Sequence, residues 1–326
     1  MLRSIPPDTT FVHASAAMTR VIELADRVAA TPASSALILG ESGVGKEVVA
    51  TRIHERSHRR NEPFVRVNLA AIPDSMVEAE FFGSVRGSFT DSKRDRTGLF
   101  SSADGGTILL DELCEFKIEM QPKLLRVLEE RRFYPVGSDR ERRMDVRVLA
   151  ATNRDVEEAI EQGLLRRDLF YRLGVMVIHV PPLRERLEDV LPLARHFLAG
   201  FAQEFARPAL ALTAGVEDVL LGHTWPGNVR ELRNIMERAV MITDGREVQA
   251  DAVAESIGSM GPPRESGKML KADHSLEGAR RRAVDVVERE HIERILKLAG
   301  GSRTRAAQML DVSRTTLWEK LRYHKL

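Results

Sequence analysis

The segment Gly40-Glu-Ser-Gly-Val-Gly-Lys46 constrains this chain more than any other. It follows a short apolar run, Ser35-Ala-Leu-Ile-Leu-Gly40, and precedes a helical pattern over Glu47–Arg56. Strand, glycine-rich loop and helix, in that order, let backbone N–H groups curl around phosphate oxygens. The helix N-terminus adds positive dipole, and a lysine at position 46 reaches the outer phosphates. The whole loop, Gly40, Glu41, Ser42, Gly43, Val44, Gly45 and Lys46, is therefore a candidate nucleotide site. One residue departs from the general motif: position 47 is Glu, where Ser or Thr would hold Mg2+.

The runs Phe64–Leu69, Thr107–Leu110, Val146–Ala151 and Val175–Val180 resemble the run at 35–40, and helical patterns such as Pro122–Glu130 separate them. Continuous apolar strands alternating with helices predict a parallel α/β sheet with both faces covered. An amphipathic helix through Met18, Val21, Ile22, Leu24, Ala25 and Val28 precedes it. After Leu183 the strands stop, and segments 189–205, 213–222, 228–242 and 250–257 read as a small helical domain. Gly258–Ser275 is rich in Gly, Pro and Ser and reads as a linker. The expected division is a short extension 1–12, an α/β domain 13–182, a helical lid 183–257, the linker 258–275 and a C-terminal helical module 276–326.

A second motif is Gly105-Gly-Thr-Ile-Leu-Leu-Asp-Glu112, an apolar strand that delivers two carboxylates at its C-terminal end. Open α/β sheets bind ligands there. Asp111 would hold Mg2+, directly or through water, and Glu112 would polarise an attacking water. With the phosphate loop, this pair predicts hydrolysis of a nucleoside triphosphate with Mg2+ as cofactor.

At this point the sequence resembles a known family, the AAA+ ATPase activators of sigma-54 RNA polymerase, also called bacterial enhancer-binding proteins. The resemblance covers residues 13–245 and 285–326. It is carried by GESGVGKE (40–47), FFGSVRGSFTDS (81–92), ADGGTILLDE (103–112), VLAATNRD (148–155), RRDLFYRL (166–173), PPLRERLEDV (181–190) and WPGNVRELRN (225–234). The Lys-Glu ending at 46–47 is the form this family uses. The implied fold is an AAA+ P-loop parallel sheet with a helical lid, followed by a small all-α helix-turn-helix domain.

The resemblance also implies roles. Asn153 is the sensor of the γ-phosphate or the water. Asn68 holds the catalytic Glu112 until the complex is ready. Arg166 and Arg172 match arginine fingers that reach the ATP of a neighbouring subunit, and Arg230 is a second sensor on the lid. A guanidinium suits such sites because its planar fork matches phosphate oxygens. The family's active form is a hexameric ring.

Family members grip sigma-54 with a loop reading GAFTGA; here it reads Gly87-Ser-Phe-Thr-Asp-Ser92. Phe89 and Thr90 persist as the expected sigma-54 contacts, while Ser88, Asp91 and Ser92 depart from the pattern. The alternative is therefore a DNA-binding regulator of this fold that acts without sigma-54. The chain begins about where the ATPase domain begins, so the expectation is control by abundance, by a binding partner or not at all, without a receiver, GAF or PAS-like input domain.

Residues 271–326 carry 13 Lys/Arg against 8 Asp/Glu, a net +5 on a chain whose remainder is −4. A basic C-terminal module suggests nucleic acid. A helix over Thr304–Leu310, a turn Asp311-Val312-Ser313 and a helix over Arg314–Tyr323 read as a helix-turn-helix, with Ser313 as N-cap and Leu317 and Leu321 facing inward. Arg314, Thr315, Thr316 and Lys320 are candidate DNA contacts on the second helix, with Ser313 at its start. Arg303, Arg305 and Arg322 are better placed for phosphates. The module also resembles the factor-for-inversion-stimulation type that ends this family, with helix 285–299 pairing subunits into a dimer on an inverted repeat. The lone Cys114 excludes an internal disulfide. No run approaches the roughly 20 apolar residues that span a bilayer, so the expectation is a cytoplasmic protein with no membrane partner.

Overall fold

Apolar side chains at successive positions of a strand point to opposite faces, so a run such as Thr107–Leu110 must be covered on both sides. That is what the chain achieves. The structure is a computed structural model that describes residues 11–31, 35–85 and 95–260, together with residues 292, 295, 299, 305, 306, 309, 310 and 317. It contains β1 (Ala36–Leu39), β2 (Phe64–Asn68), β3 (Thr107–Asp111), β4 (Arg132–Phe133), β5 (Arg142–Arg143), β6 (Arg147–Thr152) and β7 (Met176–His179). β2, β3, β6, β1 and β7 form one sheet in that order, and every pairing is parallel. β4 and β5 make a separate antiparallel ribbon.

The alternation along the strands sorts the core into two halves. Leu37, Ile108, Leu110, Val148 and Ala150 pack on one face. Ala36, Ile38, Leu109, Leu149 and Ala151 pack on the other, beneath α1 (Ala16–Ala30) and α2 (Lys46–Glu55). The first face is covered by α3 (Val77–Phe82), α4 (Leu99–Ser102), α5 (Gln121–Glu130), α6 (Val156–Glu161) and α7 (Arg167–Leu173). Ile108, Leu109 and Leu110 are buried almost completely, and each such side chain contributes about 1.5–3 kcal/mol relative to exposure.

α1 starts at Ser15, whose hydroxyl accepts from the Met18 N–H at 3.1 Å. It ends against β6. The Arg147 guanidinium, 2% exposed, donates to the carbonyls of Val28 (2.5 Å) and Ala29 (3.4 Å). Those carbonyls belong to the last turn of α1, where the ladder runs out of donors; the Val28 one is shared with the Thr31 N–H at 3.2 Å. Burial pulls the Arg147 pKa down to about 10.

The lid is α8 (Val190–Glu204), α9 (Ala214–Gly222), α10 (Asn228–Ile242) and α11 (Ala250–Met260), closed around Trp225, Leu232, Ile235, Met236 and Val253. Two corrections to the sequence reading arise here. Strands do not stop after Leu183, because Ala211–Leu212 and Glu247–Val248 pair in parallel between the helices. And α11 runs to Met260, so residues 258–260 of the expected linker are helical. Among the described residues, no helix is long and apolar enough to cross a membrane.

Within the C-terminal unit, 261–326, Ile292, Ala299, Ala306 and Leu317 form one buried cluster with Ile295 and Leu310 against it. Leu317 faces inward as expected, whereas Met309 is 48% exposed.

Candidate functional site

Lys46, Asp111, Glu112 and Asn153 gather where β1, β3 and β6 end, at the C-terminal edge of the sheet, whereas Arg172 lies at the opposite edge, where its carbonyl accepts from the Ser35 hydroxyl just ahead of β1. Lys46 opens α2 directly after Gly45, which sits at φ +105 with open space where a Cβ would be. The Lys46 side chain is 7% exposed, and its Nζ donates to the carbonyls of Gly40 (2.8 Å) and Glu41 (3.1 Å). Burial pushes its pKa down, while the Glu112 and Asp111 carboxylates oppose that shift. A desolvated ammonium hydrogen-bonded to neutral carbonyls fits an anionic ligand, because burying a charge is costly until an opposite charge joins it.

Glu112 follows β3 with φ 56 and ψ 50, the left-handed region. Such backbone costs about 1–3 kcal/mol for a non-glycine residue and gathers at functional sites. Its N–H donates to Asp111 Oδ1 at 3.0 Å. Burial raises the Glu112 carboxyl above its ordinary value, Lys46 pulls it back, and the nearby Asp111 raises it further. The backbone N–H of Asn153, just past β6, favours its ionised form.

The register pairs Asn68 with Asp111, so Asn68 ends one strand beside the carboxylates. Its side-chain oxygen accepts from the Ala70 N–H at 3.0 Å and caps the short helical turn Leu69–Ala71. The Glu47 carboxylate pairs with Arg66 of β2 at 2.7 Å. Arg166 precedes α7 and forks onto Asp168 (3.1 and 2.7 Å). Arg172, in the last turn of α7, donates to the Leu128 carbonyl at 2.7 Å. Both arginines are exposed. Arg230 lies on α10, where its Nη1 donates to Ser42 Oγ at 2.9 Å and its N–H to the Gly43 carbonyl at 3.3 Å.

Three residues that the sequence reading passed over also hold this loop. Asn228, fully buried, donates to Glu41 Oε2 (3.0 Å) and the Ser42 carbonyl (3.1 Å), and accepts from the Leu183 N–H (2.8 Å). Arg184 forks onto the Glu41 carboxylate at 2.6 and 2.9 Å. That fork, and then Asn228, hold the Glu41 carboxyl below its ordinary value. Arg186 donates to the Val44 carbonyl at 2.6 Å and approaches Asp189, which takes the N–H groups of Ala14 and Ser15. Gly43 has no alternative: at φ +79, a Cβ would lie 2.5 Å from the Gly227 carbonyl oxygen. The signal was present, since all three lie in PPLRERLEDV or WPGNVRELRN, but nothing in the sequence pairs those segments with Glu41.

The loop Gly87–Ser92, with Phe89 and Thr90, lies outside the described residues. So do Arg303, Ser313, Arg314, Thr315, Thr316, Lys320, Leu321 and Arg322. Of the candidate DNA contacts, Arg305 is described and is exposed on a helix.

Three family matches run along the chain: the sigma-54 interaction domain over residues 11–179, the AAA+ ATPase lid domain over 184–269, and the Fis family of bacterial regulatory proteins over 283–323. The chain belongs to the sigma-54 activator family. It accordingly carries an AAA+ ATPase domain with its lid and a Fis-type helix-turn-helix. This family member is 38% identical to the regulatory protein LuxO of Vibrio cholerae, over 95% of this chain and 68% of that one. It is 41% identical to AtoC of Escherichia coli, covering 88% of this chain and 62% of that one. It is 41% identical to the Nif-specific regulatory protein of Azotobacter vinelandii, over 91% and 55%. The chain thus spans 55–68% of the length of these relatives. Among solved structures, NtrX from Brucella abortus matches with TM-score 0.74 at 33% identity, over 97% of this chain and 69% of that one. NtrX in complex with ATP matches with TM-score 0.69 at 34% identity, over 98% of this chain and 70% of that one.

Proposed function

We propose that this family member hydrolyses ATP to remodel the closed complex of sigma-54 RNA polymerase, and so activates transcription from upstream DNA sites. The observation that carries this reading is the meeting of a buried, carbonyl-held Lys46 with a strained, desolvated Glu112 at one edge of the sheet. In this assignment Gly40–Lys46 cradles the phosphates, Glu47 braces α2 through Arg66, and Arg230 reaches the nucleotide from the lid. Asp111 holds Mg2+, and the metal neutralises charge on the phosphate oxygens when bound. Glu112 takes a proton from the water that attacks the γ-phosphate. Asn153 orients that water or the γ-phosphate, and Asn68 restrains Glu112 until the complex is engaged.

Arg166 and Arg172 act on a neighbour's ATP. Each is exposed and lightly held within its own chain, so exchange for a partner's phosphate costs little. By the family resemblance, the active form would be a hexameric ring. Mixing Arg172→Ala subunits with Lys46→Ala subunits is expected to recover hydrolysis that neither shows alone, because each supplies what the other lacks. Mixtures no better than the separate variants would remove the shared site.

The order of a sheet domain, a lid and a DNA-binding module is supported by the three family matches, over 11–179, 184–269 and 283–323; the lid match runs past 257 into the expected linker, as α11 does. The protein would act in the cytoplasm, where the polymerase and the DNA are. Transcription in vitro with sigma-54 holoenzyme and an upstream site tests the proposal. Open complexes should form with ATP and not with a non-hydrolysable analogue. Phe89→Ala and Thr90→Ala should lose open complexes and keep ATP hydrolysis. ATP-dependent DNA binding with no sigma-54 engagement by the unaltered protein would leave a regulator that works without sigma-54.

A further inference from the structure

The lid connects to the sheet domain through one short segment after β7; Arg184 lies within that connector and Asn228 at the start of α10 in the lid. Both converge on the Glu41 carboxylate. Asn228 is held in the left-handed region, φ 54, and is fully buried. A buried amide must spend all its hydrogen-bonding capacity on fixed partners. Here those partners are Glu41 and Ser42 of the phosphate loop and Leu183 of the connector. One side chain therefore ties three segments together, and a swing of α10 about the connector breaks its bonds to Glu41 and Ser42 first.

We propose that Glu41, Arg184 and Asn228 form a lid-positioning clasp, which sets the seat of the lid over the phosphate loop separately from Arg230. The proposal rests on the assignment of Gly40–Lys46 as the phosphate loop. The three residues are positioning residues: Glu41 transmits the placement of the loop to the connector and to α10, and Arg230 arrives at the phosphates only when α10 is seated. Arg184 and Glu41 are part-exposed, so their fork alone contributes modestly. The buried Asn228 supplies most of the effect.

The test is a reciprocal exchange in the full chain. Asn228→Asp keeps size, tolerates the left-handed backbone and still accepts from Leu183. It turns the donor that faces Glu41 into a like charge. The expected result is a rise of about tenfold in KM for ATP, with kcat changed by less than about threefold. A matching loss of affinity for a fluorescent ADP analogue should accompany it. The double variant Asn228→Asp/Glu41→Gln restores a donor–acceptor pair and should recover at least about a third of that loss. Arg184→Ala, on the surface, should raise KM by about three- to fivefold, the upper range for a part-exposed ion pair. Arg195→Ala, which breaks an ion pair with Glu217 inside the lid at 2.6 Å, should leave KM where it was. A wild-type KM in Asn228→Asp overturns the clasp, and so does a double variant no better than the single. Equal losses of kcat and affinity with a lowered Tm in both Asn228→Asp and Arg184→Ala also overturn it. If instead Lys46→Ala hydrolysed ATP like the unaltered chain, the phosphate-loop assignment itself would fall.

Discussion

Glu112→Gln binds ATP and does not turn it over: kcat is expected to fall by about 10²–10⁴-fold, the contribution of a positioned general base, while the dissociation constant for ATP moves little. Glutamine is nearly isosteric, so the strained backbone at φ 56 and the fold are retained. Removing a negative charge beside Lys46 leaves that ammonium freer to meet phosphate, which favours binding. Lys46→Ala shows the opposite phenotype, because the loop loses its one cation and ATP no longer binds measurably. The environment of Glu112 adds a pH signature. Burial raises its carboxyl above its ordinary value, against the opposing pull of Lys46, so its proton returns at a higher pH than for an exposed glutamate. The acid limb of kcat should therefore lie at higher pH than an exposed glutamate would give and vanish with the Gln variant. Turnover by Glu112→Gln at the unaltered rate would remove Glu112 from the chemistry.

A chain ending after Ser275 should lose sequence-specific DNA binding altogether and keep its ATPase activity. Specific sites bind typically 10³–10⁷-fold more tightly than non-specific DNA, so footprinting the intact and shortened proteins on one upstream region separates them cleanly. The buried cluster of Ile292, Ala299, Ala306 and Leu317 lies wholly in the part removed. Two recognition helices in successive major grooves call for half-site centres roughly 34–36 Å apart, less strictly if the DNA bends. Loss of the exposed Arg305 should weaken all sequences alike and flatten the salt dependence, as expected of a phosphate contact. Protection of the same bases by the shortened chain would move DNA recognition elsewhere.

The five strands of the sheet were legible as short continuous apolar runs, and most helices of the lid because their apolar residues repeat with the helical period; α10 spans Asn228–Ile242 as the apolar spacing required. The nucleotide site was legible for a different reason. Glycines at 40, 43 and 45 and the carboxylates at 111 and 112 are local in sequence, and so is their chemistry. What escaped was whatever depends on distant segments meeting. Asn228 looks like an ordinary helix-start residue until Glu41 and Leu183 are placed beside it. Arg147, a cation at the edge of an apolar run, gives no hint that it is buried beneath the end of α1. The left-handed turn at Glu112 was equally hidden, since a glutamate at that position would ordinarily continue or leave the strand in extended form. The paired strands at 211–212 and 247–248 are two residues each, too short for any alternation to register.

The order of the sheet also dictates the order in which a growing chain can finish it. β1, made first, lies between β6 and β7, made last. The end of α1 likewise waits for Arg147, 119 residues further along. On the ribosome, the phosphate loop emerges early but hangs from a strand with neither neighbour, apolar on both faces. Until β7 is available, one edge of β1 has no strand beside it, so the strand that carries the phosphate loop gains its last neighbour only after the site's other strands, β3 and β6, have been made.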